Sequence, residues 1–554
     1  MPLLRELRAA LALPLAAAVA CGGTNPPPTP VPAPAPIPIA ARPSVPPPLP
    51  DVPLVDGPLV VKVQYPSPNQ QISSRDSNFI FGSIGSGRAA LTVNGVAARV
   101  YNNGAFMAYL ANPLASAPRY DLVASRGADT ARAALSIRLA STVARAPAQE
   151  PLPSKPENMP TSRADTIAAL NARIDSLRTQ IIRNDPIGLV QLGQAAADTD
   201  LTIIGRPSPG GTYKWFFTPG TIVPLMARDA GFARVRLDSE LDVFVDVADV
   251  REVPAGTTLP RRTTSNMRVR GSASGVDVII PIGPRAPYFI EEGDRSIAIT
   301  LYGVRGNTDI VNYASSDSMV RTVEWSQLTE DRARVTVNLR AAPYGYLVLW
   351  ENNAIVLKLR GRPAIDVSRP LAGLTIAVDP GHPPIGATGP TGLYEAQATL
   401  PIGVRLKHIL EERGASVVMT RTTDAPVALG DRPVIARRAN VHAFVSIHLN
   451  ALPDGVNPFL NPGTGTYFFR THSEPLAREV QRGMVAQIGL KDLGVNYDNL
   501  AVVRGTWYPA VLCEGAFIIM PDQEAALRTP EFQERYARGV ADGVENYFRT
   551  LANR

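Results

Sequence analysis

Apolar residues in the first two thirds of the chain occur in short runs that turn residues separate. Between residues 57 and 142 these runs begin at Leu59–Val63, and Asn94-Gly95 stands between two of them. Asn103-Gly104 precedes a further run, Ala105–Leu110. An Asn-Gly pair between apolar runs is typical of a two-residue β-hairpin. The pattern therefore predicts a small β module over residues 57–142.

Two more segments carry short, closely spaced runs of the same kind. The range 194–256 contains Thr221–Leu225 and Val243–Val247, and the range 260–365 contains Ser296–Leu301. Each is predicted to be a separate β-rich module. Residues 57–142 resemble the immunoglobulin-like modules of secreted bacterial enzymes. Residues 194–256 are similar to bacterial SH3-type barrels, many of which bind cell-wall peptides. In the latter, Trp215 and Phe216 either line a groove or pack in the barrel core.

Between the first two modules, the spacing of apolar residues along the chain changes. After a proline-rich gap, apolar residues recur at alternating spacings of three and four, which predicts one amphipathic helix; they are Ile167, Leu170, Ile174, Leu177 and Ile181. Residues 143–193 are therefore interpreted as a linker with a helix. The helix either docks on a neighbouring domain or associates with a second copy of itself, and two heptads are short for the latter.

The pattern changes again near residue 371, where strand-like runs alternate with helical stripes. The predicted strands are Leu374–Val378, Ser416–Thr420, Ala443–Ile447, Thr466–Phe469 and Ala510–Cys513. Apolar faces predict three helices, around Ile402–Leu410, Leu476–Ile488 and Phe532–Tyr547. Such alternation is typical of an α/β domain. We therefore expect a multidomain chain in which three small β-rich modules precede an α/β domain over residues 371–554, with a mixed, mostly parallel sheet flanked by helices.

Composition narrows the functional classes. The chain has 554 residues, a formal net charge of +6 and a pI near 9.3, but no basic run with interleaved aromatic residues, so a nucleic-acid partner is not expected. Only two cysteines occur, Cys21 and Cys513, which excludes a disulfide framework. Cys513 lies in an apolar run without an evident partner and is interpreted as a core residue.

The N-terminus carries export signals. Arg5 and Arg8 precede an apolar stretch, Ala9–Val19, which is too short for a permanent membrane span. Small residues before Cys21 resemble a bacterial lipoprotein signal, which implies a signal peptide over residues 1–20 and lipidation of Cys21; an ordinary secretory signal is the alternative. Half of the residues from 26 to 53 are proline, so residues 21–56 are expected to form a linker in extended polyproline II, or a plain disordered one.

Candidate metal-binding and catalytic residues lie where the predicted strands of the last domain end. His382 follows the first strand-like run, His448 ends another, and Glu395 precedes a helical pattern. Two histidines and one glutamate with an open fourth position form a known catalytic zinc arrangement. Glu514 ends a further apolar run, where a glutamate without a function would be costly to desolvate. The competing interpretation is that the histidines are hydrogen-bonded structural residues and that Glu395 only complements a helix dipole.

The other histidines have simpler interpretations. His408 lies on a polar helix face and is expected to be solvated, and His442 precedes a strand and is expected to be structural. His472 is left open as a residue that approaches substrate.

Residues from about 372 to 550 resemble one family specifically. The matching motifs follow in order: Val378-Asp379-Pro380-Gly381-His382, Gly392-Leu393-Tyr394-Glu395-Ala396, Met419-Thr420-Arg421 with Asp424, Arg432 with Ala439-Asn440, Val445-Ser446-Ile447-His448-Leu449-Asn450-Ala451, Asn499-Leu500-Ala501-Val502-Val503-Arg504, and Pro509-Ala510-Val511-Leu512-Cys513-Glu514 with Phe517. This part is similar to the zinc-dependent N-acetylmuramoyl-L-alanine amidases of the Amidase_3 type.

The resemblance implies a reaction and its residues. His382, Glu395 and His448 would carry Zn²⁺, and Glu514 would be the catalytic acid/base. Zinc-hydroxide would attack the lactyl carbonyl of N-acetylmuramic acid and release the L-alanine amine of the stem peptide. Asn450 and Arg432 are candidate substrate contacts. Residues 260–365 resemble the all-β wall-targeting (AMIN-like) module found before some amidases.

This resemblance places the protein in the cell envelope. Peptidoglycan is the expected partner, together with a membrane reached through a lipid on Cys21, in the periplasm or elsewhere in the envelope, and the protein is expected to be a monomer. Two other functions stay open: an inactive wall-binding scaffold, and a zinc peptidase that cuts within the stem peptide.

The sequence also departs from the family pattern. Pro383-Pro384 replace the usual glycine-rich turn after the first histidine, and Ile518–Pro521 lacks the usual polar ending. Some relatives insert an autoinhibitory helix between the second histidine and the next strand, but residues 451–465 form only a short loop rich in Pro, Gly and Asn. We therefore expect activity without an activator that displaces such a helix.

Overall fold

A computed structural model describes residues 48–139, 185–194, 203–229, 231–314, 317–384 and 386–553. All of them lie in the compact unit Val45–Arg554. The predicted signal peptide, Cys21, most of the proline-rich linker and the apolar stripe from Ile167 to Ile181 lie outside the described residues.

The first β module contains a seven-stranded sheet in the order β1-β3-β6-β5-β4-β7-β8 and a parallel pair, β2 with β9. Its strands are β1 Lys62–Tyr65, β2 Gln71–Ile72, β3 Ser77–Ser83, β4 Ala90–Val93, β5 Val96–Val100, β6 Ala105–Ala111, β7 Arg119–Arg126, β8 Asp129–Ser136 and β9 Arg138–Leu139. The predicted Asn-Gly turn joins β4 to β5, with φ of 49° at Asn94 and 80° at Gly95. Both positive values are those that a type I′ hairpin turn requires.

The second module is a seven-stranded sheet in the order β12-β11-β15-β14-β13-β10-β16. Its strands are β10 Gly188–Leu192, β11 Ile203–Arg206, β12 Trp215–Phe217, β13 Thr221–Arg228, β14 Phe232–Asp238, β15 Leu241–Asp246 and β16 Val250–Glu252. Trp215 is buried in the core of this module. The predicted start at residue 194 is wrong, because β10 pairs with both β13 and β16 and lies in the range expected to be linker and helix. β10 is a short strand whose apolar run is interrupted by Gln191, so the sequence did not mark it as a strand.

The third module has a five-stranded sheet in the order β21-β17-β18-β25-β24 and a four-stranded sheet in the order β19-β20-β23-β22. Its strands are β17 Met267–Ser272, β18 Gly275–Pro281, β19 Tyr288–Gly293, β20 Ser296–Tyr302, β21 Val311–Tyr313, β22 Val320–Thr329, β23 Arg332–Leu339, β24 Gly345–Glu351 and β25 Ala354–Arg360. One apolar cluster, including Val278, Leu357, Ile299 and Val335, takes residues from both sheets and forms the core.

The C-terminal domain has a mixed six-stranded sheet in the order β27-β26-β28-β31-β29-β30. Its strands are β26 Thr375–Pro380, β27 Ser416–Met419, β28 Ala443–Asn450, β29 Gly463–Phe468, β30 Lys491–Tyr497 and β31 Ala510–Phe517, and its helices are α1 Glu395–Glu412, α2 Asp431–Arg438, α3 Glu474–Ile488, α4 Pro521–Leu527 and α5 Pro530–Ala552. The pair β29–β31 is antiparallel and the other neighbouring pairs are parallel. This arrangement is the α/β domain that the alternating pattern predicts.

The helices α1, α3 and α5 share one apolar cluster with the sheet strands. Helices α3 and α5 approach closely at glycines: a Cβ on Gly483 would lie 2.1 Å from the carbonyl oxygen of Gly539. A second cluster, on the other face, contains Phe444, Leu512 and Tyr508 together with Ala436 of α2. The site described below therefore sits on a sheet that is packed on both faces.

Side chains of the β modules reach into the C-terminal domain. Phe79 and Phe81 of the first module stack with Tyr65 and belong to the same apolar cluster as α1, α3 and α5. The buried Arg360 of the third module donates hydrogen bonds to the carbonyl oxygens of Asn440, Val441 and Trp507. Within the part of the chain that the structure describes, no helix has the length and apolar character needed to cross a membrane.

Candidate active site

Three neighbouring parallel strands bring the predicted site residues to one edge of the sheet. Pro380 of β26 lies opposite Ile447 of β28, and His448 lies opposite Glu514 of β31. His382 follows β26 after Gly381 and has a φ of 60°, which is uncommon for a residue other than glycine. In open α/β sheets, ligands bind at the carboxyl ends of the strands. The predicted strands were too short, because β26 continues through Pro380 and β31 continues to Phe517.

His382, Glu395 and His448 converge on one point. The Oε2 of Glu395 lies 3.2 Å from Nε2 of His382, and its Oε1 lies 3.1 Å from Nδ1 of His448. One ligand atom from each residue falls within 4.8 Å of the others, so the three can hold a metal ion. Gly381 leaves room for this approach, since a Cβ there would lie 2.5 Å from Cε1 of His448.

Electrostatics favour the ionised form of Glu395. Glu395 is 3% exposed, and burial alone would raise the pKa of its carboxyl. The hydrogen bonds and charges of His382 and His448 outweigh burial and hold the pKa well below its usual range. The same hydrogen bond to Glu395 raises the pKa of His382. The backbone N–H groups of Leu449 and Ala387 also donate to this carboxylate, at 2.9 and 3.0 Å, and fix its orientation.

A buried network around Asp379 shapes the turn before His382. Thr420 and Ser446 donate their hydroxyls to Asp379, and Arg432 donates from Nη1 at 2.7 Å. Nη2 of Arg432 donates to the carbonyl oxygen of His382 at 3.0 Å. Arg432 is 3% exposed. The prediction that its side chain contacts substrate is therefore wrong, since the guanidinium is buried and used within the turn.

Two further buried residues hold the backbone around Glu395, and their roles were not predicted. Nη2 of Arg421 donates to the carbonyl oxygens of Gly381 and Ala396, which ties the histidine turn to the start of α1. Glu524 of α4 accepts hydrogen bonds from the backbone N–H groups of Thr391 and Leu393. The sequence offered only the motif around Arg421 as a signal, and none for Glu524.

Glu514 lies beside this group but is not bonded to it. Its Oε2 is buried and has no hydrogen-bond partner in the described part of the chain. Burial and the charge of Glu395 raise the pKa of Glu514 well above its usual value. Burial and the charges of Glu514 and Asp498 also raise the pKa of Tyr467. Asn450, a predicted substrate contact, is half-buried at the end of β28.

The remaining candidates take structural positions. His408 is exposed, as predicted. Nδ1 of His442 accepts the backbone N–H of Thr375 at 2.9 Å, and Cys513 is fully buried in the core, so both predictions are confirmed. His472 is buried, and its Nδ1 lies 3.0 Å from the Glu292 carboxylate of the third module. The suggestion that His472 approaches substrate is wrong, because the side chain joins two domains.

Comparisons with known proteins relate this domain to one family. The family model "N-acetylmuramoyl-L-alanine amidase" (Amidase_3) matches residues 376–546. The sporulation-specific N-acetylmuramoyl-L-alanine amidase of Bacillus subtilis is 34% identical over 182 residues, which cover 31% of this chain and 68% of that protein. The chain belongs to the N-acetylmuramoyl-L-alanine amidase family. The family resemblance inferred from the sequence is thereby confirmed, and residues 371–554 are called the amidase domain below.

Other relatives match the same region. The amidase LytC of Bacillus subtilis is 31% identical over 210 residues, which are 37% of this chain but only 40% of LytC. Among solved structures, the amidase AmiC2 of Nostoc punctiforme has 33% identity, covers 32% of this chain and 98% of its own chain, and gives a TM-score of 0.30. The likenesses of the three β modules to known modules stay predictions.

The loop between β28 and β29 is held by the first β module. The first β module contacts it: Ser73 donates its backbone N–H and its hydroxyl to Oδ2 of Asp454, and the Tyr65 hydroxyl donates to Oδ1. The Tyr109 hydroxyl donates to the carbonyl oxygen of Gly455 at 2.9 Å. A module that lies far away in sequence thus fixes a loop that leaves the strand of His448 and Asn450.

Proposed function

We propose that this protein hydrolyses the amide bond between the lactyl group of N-acetylmuramic acid and the L-alanine of the peptidoglycan stem peptide. The observation that carries the proposal is Glu514: a carboxyl with a buried, unpartnered oxygen and a raised pKa, next to a convergent His–Glu–His group. A carboxyl whose pKa is raised by burial and by a neighbouring carboxylate suits a general acid/base. The family membership supplies the substrate class.

The donor set fits Zn²⁺. His382, Glu395 and His448 offer two imidazole nitrogens and one carboxylate oxygen close enough to share one ion, as in catalytic zinc sites with three protein ligands. When bound, zinc would supply a Lewis acid that polarises the carbonyl and lowers the pKa of water. The hydrogen bonds from Leu449 and Ala387 hold Glu395 in the ionised, oriented form that such a ligand needs.

Glu514 would move the proton. As a carboxylate it takes a proton from the attacking water, and the protonated form then gives that proton to the nitrogen of L-alanine, which leaves as an amine. Among the described residues Oε2 has no hydrogen-bond partner, which leaves this oxygen free to accept and return a proton. We expect Asn450, half-buried at the end of β28, to contact the bound substrate.

The same proposal places the enzyme outside the cytoplasm. Its substrate class lies in the cell envelope, and the N-terminal sequence carries an export signal that ends at Cys21. We expect lipidation of Cys21 to anchor the protein to a membrane, with the proline-rich segment as a tether and the β modules in contact with the wall.

The test is mass spectrometry of purified peptidoglycan after digestion by the zinc-loaded protein. Stem peptides with a free L-alanine amine are expected from the wild type and are expected to be lost with Glu514→Gln and after chelation. His408→Ala, an exposed histidine outside the site, is the matched control and should retain activity. Cleavage between later residues of the stem peptide would instead establish a peptidase. Intact peptidoglycan that still binds the wild-type protein would indicate a scaffold and contradict the proposal.

A further inference from the structure

The loop of residues 451–462 crosses the sheet edge at which the candidate catalytic residues lie. It begins three residues after His448 of β28 and enters β29 at Gly463. Gly465, near the start of β29, lies opposite Glu514 of β31. Because β31 stands between β28 and β29 in the sheet, the loop passes from one neighbour of the Glu514 strand to the other. It therefore borders the carboxyl ends of β28 and β31.

The first β module holds this loop at two consecutive residues. The carboxylate of Asp454 accepts hydrogen bonds from the hydroxyl of Tyr65 and from the backbone N–H and hydroxyl of Ser73. The backbone N–H of Gly455 donates to Oδ1 of Asn78 at 3.0 Å. Asn78 is fully buried, so water does not compete for this contact. The module thus determines the path of the loop.

The same module supports the turn before Glu395, on the other side of the site. Gly392 of this turn has a φ of 86°, and a Cβ there would lie 3.3 Å from Nε2 of Gln64 in β1. The backbone N–H groups on both sides of Gly392 donate to Glu524 of α4. Helix α4 in turn lies against β6 of the first module. Two segments that border the site therefore rest on one β module.

The candidate metal ligands are held by the amidase domain itself. Glu395 accepts hydrogen bonds from the backbone N–H groups of Leu449 and Ala387. His448 lies within β28, which is paired with β26 and β31, and its carbonyl oxygen accepts the hydroxyl of Tyr536 at 3.0 Å. Release of the 451–462 loop is therefore expected to leave the metal site intact.

The loop presents apolar side chains to water beside this site. Val456, Phe459 and Leu460 are all exposed. Exposed apolar groups that adjoin a catalytic centre suit the apolar faces of sugar rings and the methyl groups of alanine residues. A loop that is already ordered loses less conformational entropy when it binds a ligand than a free one.

We propose that the first β module positions the 451–462 loop as one wall of the substrate cleft, with Asp454 as the positioning residue. This inference rests on the proposed function, and the ligand of the wall is the disaccharide-peptide unit of peptidoglycan. The module then serves binding at the catalytic centre, in addition to any attachment to the cell wall. Contacts of this kind form in the ground state and the transition state alike, so their loss raises KM and leaves kcat nearly unchanged.

The test measures the affinity of the zinc-loaded, full-length Glu514→Gln protein for a soluble disaccharide-pentapeptide by calorimetry, so that turnover does not enter the result. A second substitution, Asp454→Ala, should weaken binding about tenfold. Asp454→Asn keeps one acceptor oxygen and should restore part of the affinity. Zinc affinity, measured by competition with a chelator, should be the same in all of these proteins. In the enzyme that retains Glu514, Asp454→Ala should raise KM about tenfold and change kcat by less than about twofold.

The control is Asp121→Ala, which removes an exposed aspartate of the same module that is paired with Arg119; it should keep the affinity of its parent. The double variant Asp454→Ala/Tyr109→Phe also removes the hydrogen bond to the carbonyl oxygen of Gly455 and should bind still more weakly.

A purely structural role would lower the melting temperature of the Asp454 variants without changing their affinity for the fragment, and would overturn the proposal. A parallel loss of zinc affinity would overturn it as well, because the loop would then support the metal ligands and not the substrate. An enzyme that fails the peptidoglycan assay, but whose fragment binding is weakened by Asp454→Ala, would contradict only the proposed function.

Discussion

At the scale of single residues, the position of Glu514 is costly for the metal-free protein. A carboxylate whose oxygen is buried without a partner opposes folding, and the pKa of Glu514 is raised accordingly. A carboxyl whose pKa is raised by folding destabilises the folded state at pH values above the pKa of the unfolded state, which is the ordinary glutamate value of 4.5. This destabilisation disappears as the pH falls below 4.5. Its retention beside the His–Glu–His group is understandable if the residue is needed for proton transfer.

We therefore expect Glu514→Gln to raise the melting temperature of the metal-free protein at pH 7 by about 2–4 °C, the shift that corresponds to roughly 1 kcal/mol in a domain of this size. The neutral amide avoids the buried charge. Differential scanning calorimetry at pH 7 and pH 4 checks this, because the gain should shrink at the lower pH. An unchanged or lower melting temperature at pH 7 would show that the carboxylate is stabilised by something other than the groups described.

Glu292 is a buried carboxyl whose pKa is lowered in the folded protein, in contrast to that of Glu514. Burial would raise its pKa, but the charge and hydrogen bonds of His472 outweigh burial and lower it. A carboxyl whose pKa is lowered by folding stabilises the folded state at pH values above the pKa of the unfolded state, 4.5. This stabilisation is lost as the pH falls through the lower pKa of the folded state. Both side chains are buried, with Glu292 5% and His472 0% exposed, so solvent screens the pair little.

The expected outcome is that Glu292→Gln lowers the free energy of unfolding at pH 7 by about 1–3 kcal/mol. The difference from the wild type should diminish as the pH falls below 4.5 and through the lowered pKa of Glu292 in the folded protein. Denaturant titrations across this range are the measurement. Glu291→Gln, the neighbouring residue in an exposed pair with Arg334, is the control and should have little effect. A constant difference at all pH values would argue against the ion pair.

At the scale of elements, the loop between β28 and β29 depends on Asp454. Both carboxylate oxygens of Asp454 accept hydrogen bonds from the first β module, through Tyr65 and Ser73. These contacts join segments almost four hundred residues apart in sequence, so no local interaction can replace them.

Asp454→Ala should release this loop while leaving the fold intact. We expect faster cleavage within residues 451–462 in limited proteolysis, with fragments identified by mass spectrometry. Asp424→Ala, an exposed aspartate in a different loop, should leave the cleavage rate of this loop unchanged. Equal rates in Asp454→Ala and wild type would mean that Gly455, held by Tyr109 and Asn78, is sufficient to fix the loop.

Sequence patterns predict the elements whose burial is periodic and miss the rest. The helices α1, α3 and α5 have strong apolar stripes and were expected, whereas α2 has only two buried residues and α4 has seven residues in all. The edge strand β30 is half exposed and polar, so it shows neither period. Family motifs indicated the ligand set and Glu514. They did not reveal the roles of Arg432 or Glu524, because the partners of these side chains come from segments that only the fold brings together.

At the scale of the whole molecule, the first β module is part of the packing of the amidase domain. Phe79, Phe81 and Met107 belong to the apolar cluster of that domain. Removal of the module would leave apolar surface of the amidase domain in contact with water.

A protein truncated to residues 185–554 should accordingly melt at a lower temperature than the full chain and bind a hydrophobic dye such as ANS more strongly. The cost of exposing an aromatic side chain is on the order of 2–3 kcal/mol. Full-length Phe79→Ala is the matched point variant and should show a smaller shift in the same direction. A truncated protein as stable as the full chain would show that the aromatic contact contributes little.

The contacts of Arg360 determine how easily the third module could be transplanted. Its guanidinium binds three main-chain carbonyl oxygens, and main-chain atoms are present whatever side chains a host protein carries. Glu292 instead requires a histidine at one position of the host. In a chimera that joins this module to another amidase, the contacts of Arg360 should therefore form without further change. The contact of Glu292 should form only when the histidine is introduced into the host as well. The Arg360 contacts would therefore form with many host domains, whereas the Glu292 contact would form only with a host that has a histidine at this position.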